Sequence, residues 1–129
     1  MEKKIAKFSR DILLILLLLF TLRSVSYGLE ASPSDNIQDM PGAGLFKAKT
    51  CYSCHSIGNG KLVGPDLKGL FERRDEVWVR KFILDPTSMT ASDPIAIKLK
   101  AEYMTQMPNP ILTPEELNQL IAYLKAATK

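Results

Sequence analysis

Both cysteines and the only histidine of this 129-residue chain fall within five consecutive positions, Cys51-Tyr52-Ser53-Cys54-His55. With one imidazole and two thiols in a single cluster, sites built from several histidines are excluded, and so is a disulfide-dense scaffold. C-x-x-C-H is the pattern by which haem of the c type is attached. Cysteines three apart face the same side of a helical turn, so both thiols can reach the two vinyl groups of one porphyrin. The adjacent imidazole then projects toward the iron as its proximal ligand. Other chemistries use such a pair. A thioredoxin-like redox site expects a βαβ setting, and no strand-like alternation surrounds this one. A zinc site on Cys51, Cys54 and His55 would lack a fourth protein ligand. A plain local disulfide would be a chance occurrence. The expected cofactor is therefore one haem c per chain, attached at Cys51 and Cys54, with His55 on the iron.

A second axial ligand cannot be histidine, because the chain has no other. The remaining soft donor is methionine, and Met40, Met89, Met104 and Met107 lie beyond the N-terminal region. Met40 and Met89 read as core filler. Met104 and Met107 lie in Tyr103-Met-Thr-Gln-Met-Pro108-Asn109-Pro110, where two prolines prevent helix and stiffen the loop. A rigid loop is what a weak thioether ligand needs, and the residues alone leave both candidates open.

The chain begins with Lys3, Lys4, Lys7 and Arg10, followed by an eleven-residue apolar run from Ile12 to Leu22 and then Ser24, Val25, Ser26, Tyr27 and Gly28. A basic start, a short apolar run and a small-residue exit are the parts of a secretory signal. As a helix the run would be about 16 Å long, against about 30 Å of bilayer hydrocarbon. Residues 1–28 are expected to be a signal peptide or, if retained, a signal anchor. The exported location would be periplasmic, with membrane attachment only through an uncleaved leader. The charge supports this partition. Of 17 bases and 14 acids, five bases and two acids fall in 1–28, leaving 12 of each in the rest. The formal charge of +3 belongs to the leader, and nothing in the remainder recommends nucleic acid as a partner.

Residues 29–41, with Ser32-Pro33-Ser34-Asp35-Asn36, read as a flexible linker. The domain is expected over 42–129, a size at which a core alone is marginal and a bound cofactor helps. Gly42 to Thr50 reads as a first helix running into the Cys51–His55 motif. The glycine-rich stretch Ile57–Pro65 reads as loop. Asp75 can cap a helix through about Leu84, with Val77, Trp78, Phe82 and Ile83 available for burial, and Asp85-Pro86 ends it. Asp93-Pro94 reads as cap and first residue of a helix through Ile95, Leu99 and Tyr103. Thr113-Pro114-Glu115-Glu116 is a capping box opening a last helix that buries Leu117, Leu120, Ile121 and Leu124. The expected class is all-α, with about four helices around one covalently attached haem.

Four blocks in this order resemble the class I c-type cytochromes, over nearly all of 42–129. Gly42-x-x-x-Phe46 precedes Cys51-x-x-Cys54-His55. Gly64-Pro65-Asp66-Leu67-Lys68-Gly69-Leu70-Phe71-Glu72-Arg73 follows, and Met107-Pro108-Asn109 and Leu120-Ile121-Ala122-Tyr123-Leu124 close the chain. The resemblance implies particular roles. The Pro65 carbonyl would accept the Nδ1–H of His55. Arg73 would sit near a haem propionate, an anion that needs a cationic partner. Gly42 and Phe46 would pack on Leu120 and Tyr123. The distance of the Met-Pro pair from the last helix selects Met107 over Met104 as the sixth ligand. Arg74, Lys61 and Trp78 are further residues that could touch propionates or the haem edge. The stretch from Asp75 to Gln106 departs from the mitochondrial-type pattern and looks like bacterial monohaem members. No dense lysine face is present.

The resemblance implies a one-electron carrier rather than an enzyme, a monomer exchanging electrons between a respiratory donor and a terminal oxidase or reductase. Met/His ligation raises the reduction potential, and the chain has no visible acid–base pair for proton-coupled catalysis. Two alternatives differ in class. A fixed electron-relay subunit of a terminal oxidase or reductase would keep its leader as an anchor. A haem peroxidase or gas-binding protein would have Met107 absent from the iron.

Overall fold

The computed structural model describes residues 36–129, so the readings of the leader and of 29–35 lie outside the described residues. Six α-helices and no strand occur among the described residues: α1 (Pro41–Ala48), α2 (Leu70–Arg73), α3 (Glu76–Leu84), α4 (Pro86–Ser92), α5 (Pro94–Tyr103) and α6 (Pro114–Ala127). The all-α expectation holds, with two helices more than expected. No described helix is long and apolar enough to cross a membrane.

The frame is the packing of α1 on α6. Leu117, Leu120, Ile121, Tyr123 and Leu124 of α6 are buried, at the three- and four-residue spacing that puts them on one face. The Thr113–Glu116 capping box is present, with the Thr113 N–H donating to the Glu116 carboxylate at 2.7 Å. Facing this stripe, α1 buries Gly42, Ala43 and Phe46. A Cβ at Gly42 would lie 2.1 Å from the Gln119 carbonyl oxygen and 2.5 Å from Tyr123 Cβ. Glycine is therefore what lets the two helix backbones meet. One turn further along α1, the Phe46 ring packs tilted against that of Tyr123, with centroids 5.7 Å apart.

The expected linker carries structure at its end. A 3-10 turn covers Ile37–Asp39, capped by the Asn36 side chain, and Met40 packs against the core. Asn36 is an N-cap residue type, and its side chain gives the turn an acceptor that composition alone does not announce.

The middle of the chain also departs from expectation. Asp85-Pro86 ends α3, but it begins α4 as well. The Asp85 N–H donates to the Lys81 carbonyl, while the Asp85 carboxylate accepts from the Ser88 N–H at 3.0 Å and Pro86 takes the first helical position. The same two residues thus serve as stop and start, because an Asp cap and an N1 proline satisfy both ends. On α3 the buried residues are Val79 and Ile83, while Val77 is 71% exposed. On α5, Ala96 is the buried residue and Ile95 faces outward, with Leu99 and Tyr103 half-buried. Packing against α4 decides that face.

Candidate functional site

The Cys51–His55 segment is placed by a break in the backbone. Thr50 adopts the left-handed region (φ 56°), an uncommon state for a β-branched residue. It ends α1 and turns the chain into a 3-10 turn over Cys51–Ser53. The Ser53 hydroxyl donates to the Thr50 carbonyl at 2.7 Å, and the His55 N–H donates to the Cys51 carbonyl at 3.0 Å. Both cysteines are half-buried free thiols. Burial pushes the Cys51 thiol up, opposite to the lowered value of a disulfide-exchange nucleophile. Among the described residues no three of His, Cys, Asp and Glu converge as ligands for one ion.

His55 is held from two sides. Its Nδ1 lies 2.9 Å from the Pro65 carbonyl oxygen. A carbonyl only accepts, so Nδ1 carries the proton and Nε2 keeps its lone pair for a metal. Gly64 lies flat against the ring, where a Cβ would come 2.8 Å from Cε1. Behind the histidine, the loop is gathered by a residue not singled out from sequence. The Asp66 carboxylate accepts from the N–H groups of Gly58 and Lys68 at 2.8 Å, from Gly60 at 2.5 Å and from the Ser56 hydroxyl at 2.9 Å. These bonds, the Gly58 and Lys68 amides foremost, hold its carboxyl well below the usual carboxylate range. Gly58 and Gly60 have φ of 82° and 86°. Paired glycines ahead of a short acidic side chain are the sequence signal that was available.

Two adjoining cavities open beside this segment, and His55, Cys51, Pro65 and Met107 line both. The first has mainly apolar walls from Phe46, Leu70, Val79, Ile83, Leu120 and Leu124, with Arg73, Arg74 and Trp78 also lining it. Arg73 donates to the backbone carbonyls of Asp66, at 3.0 Å, and Lys68. It therefore clasps the Asp66 loop while it borders the cavity. Arg74 lies over the Trp78 ring, which stacks on Phe82 at 5.0 Å between centroids. The Trp78 Nε1–H is buried without a hydrogen-bond partner. The Asp93 carboxylate is near enough to feel that N–H but does not meet hydrogen-bond geometry with it. Lys61 sits over Tyr103, at 4.3 Å from the ring centroid, and lines neither cavity.

The methionines separate clearly. Met107 is half-buried and packs against the core. Met104 is 91% exposed, caps α5 with φ 49°, and lines neither cavity. Met40 packs on the core, and Met89 lies half-buried on α4.

These residues fit a c-type haem. Two thiols sit three apart beside the cavities, an imidazole presents a free Nε2, and the apolar walls match a porphyrin face. An unpartnered indole N–H and two guanidinium groups supply what carboxylate substituents need.

The family model for cytochrome c matches residues 40–128. Among solved structures, a cytochrome c from Rhodothermus marinus is 29% identical with a TM-score of 0.63, over 67% of this chain and 73% of that one. A cytochrome c domain of a Pseudomonas putida protein is 35% identical with a TM-score of 0.59, over 67% and 87%. An engineered cytochrome c from Rhodothermus marinus is 25% identical with a TM-score of 0.64, over 78% and 85%. No curated protein matches the chain.

Proposed function

The chain belongs to the cytochrome c family, whose cofactor is covalently attached haem c, and on that premise we propose that it is a one-electron carrier with His55 and Met107 as axial ligands. When bound, haem iron supplies a reversible one-electron couple. The observation that carries the reading is that His55 and Met107 line the same two cavities while Met104 is solvent-exposed and lines neither. Cys51 and Cys54 would form the thioethers. The Pro65 carbonyl holds the His55 Nδ1 proton and so fixes which nitrogen is available and raises its basicity. The apolar walls exclude water and favour the less charged, reduced state. Arg73, Arg74 and the Trp78 N–H would offset the propionates.

Redox proteins are the partners the family implies. Here the donor and acceptor are respiratory complexes, the carrier is a monomer, and the compartment is the periplasm reached through residues 1–28. Cell fractionation tests this last point: recovery in the membrane pool would favour the fixed relay subunit over the free carrier.

The test of ligation is spectroscopic. Met107→Ala should lose the weak Met–iron band near the red edge of the visible spectrum and lower the reduction potential. If the band survives, Met104 takes the assignment. Ready carbon monoxide binding by the reduced wild type at neutral pH would instead favour a gas-binding or peroxidase reading.

A further inference from the structure

The segment carrying Met107 lies between α5 and α6 without regular structure, so side chains must hold it. Thr90, buried on α4, places its hydroxyl 2.8 Å from Gln106 Oε1. Gln106 Nε2 in turn donates to the Met107 carbonyl at 3.2 Å. That bond fixes the amide, because a carbonyl oxygen can only accept. Oε1 therefore faces Thr90, and the hydroxyl must donate to it. The competing acceptor, the Thr87 carbonyl, is farther at 3.1 Å. Thr90, Gln106 and Met107 all line the same cavity. Beyond Met107, Lys49 donates to the Ile111 carbonyl at 2.7 Å and pairs with Glu116 at 3.7 Å. The loop is thus tied on both sides of Met107.

We propose that Thr90 and Gln106 form a clamp that keeps Met107 in reach of the iron and sets how readily a competing ligand displaces it. This rests on the reading of Met107 as the sixth ligand. A thioether binds weakly, so its occupancy depends on how little freedom its loop has to lose. Losing one buried hydrogen bond shifts such an equilibrium about three- to tenfold. Thr90 and Gln106 are positioning residues, acting through the Met107 backbone.

The experiment titrates imidazole into oxidised, full-chain holoprotein while following the Met–iron band. Thr90→Val and Gln106→Leu should each raise imidazole affinity about fivefold. The double variant should do no more than either alone, because both remove one shared element. Thr90→Ser, which keeps the hydroxyl, should behave as wild type. If Met107→Ala binds imidazole much more tightly but Thr90→Val and Gln106→Leu match wild type, or their effects add in full, the clamp is wrong and the ligation stands. If Met107→Ala keeps both the band and the wild-type affinity, the ligation reading fails and the clamp with it. Should Thr90→Val yield no holoprotein, Gln106→Leu alone decides by the same criterion.

Discussion

Asp66 organises the loop behind His55 with one carboxylate. It gathers three backbone N–H groups and the Ser56 hydroxyl, and its neighbours Pro65 and Gly64 are the residues that seat the imidazole. Its folded-state pKa lies below the ordinary carboxylate value of about 4. A carboxylate of this kind stabilises the fold fully above its unfolded value and loses that contribution as pH falls toward the folded one. The wild-type thermal midpoint should therefore begin to fall below about pH 4. Asp66→Asn should lower the midpoint at neutral pH and make its decline in acid shallower. Thermal melts of both proteins from pH 7 to pH 2 check this, and parallel curves would remove Asp66 from the account. The motif Cys51–His55 was legible in sequence because it depends on spacing along a short segment, whereas the role of Pro65, ten residues from His55, was implied only by the family resemblance. The role of Asp66 was not legible, because its partners are brought together by two left-handed glycines.

At the scale of helices, two glycines of α1 make opposite predictions. Gly42 faces α6 so closely that a Cβ would overlap the Gln119 carbonyl, whereas at Gly44 nothing lies within 4 Å of such an atom. Alanine is the better helix former by roughly 1 kcal/mol. Gly44→Ala should therefore stabilise the protein by about 0.5–1 kcal/mol. Gly42→Ala should destabilise it by about 2 kcal/mol or more, because overpacking forces the helices apart. Chemical denaturation of the two variants measures both signs, and equal effects would contradict the packing of α1 on α6. The helix α4 carries a different lesson. The Asp-Pro pattern that starts a helix at Asp93-Pro94 is equally present at Asp85-Pro86, where the sequence points first to a stop. Thr90, which reaches the Met107 loop, lies on the helix that begins there.

For the molecule as a whole, the charge of residues 29–129 is balanced at 12 bases and 12 acids, so long-range steering by net charge is weak. The described domain has fewer than a hundred residues, and a core of that size is marginal alone. Its apolar side chains from α1, α2, α3 and α6 share a wall around the cavity beside Cys51 rather than closing entirely on one another. Stability should therefore depend on attachment of the haem. The double variant Cys51→Ser, Cys54→Ser should lose cooperative thermal unfolding and much of its helical circular dichroism signal. A melt as sharp as that of the holoprotein would show that the polypeptide core suffices.

The sequence by itself determined the chemistry that needs only neighbours along the chain. Two thiols three apart, a histidine beside them, and caps such as Thr113–Glu116 and Asp93-Pro94 act over one or two turns, where spacing fixes geometry. It also settled that no second histidine could bind the iron. The tertiary structure decided whether Val77 or Val79 is buried, and it put Met107, which the family resemblance had already selected, on the cavity wall with Met104 in solvent. It also brought Thr90 within reach of Gln106. Those outcomes depend on the packing of α4, α5 and α6 around the loop, contacts between residues far apart in the chain. No local pattern encodes them.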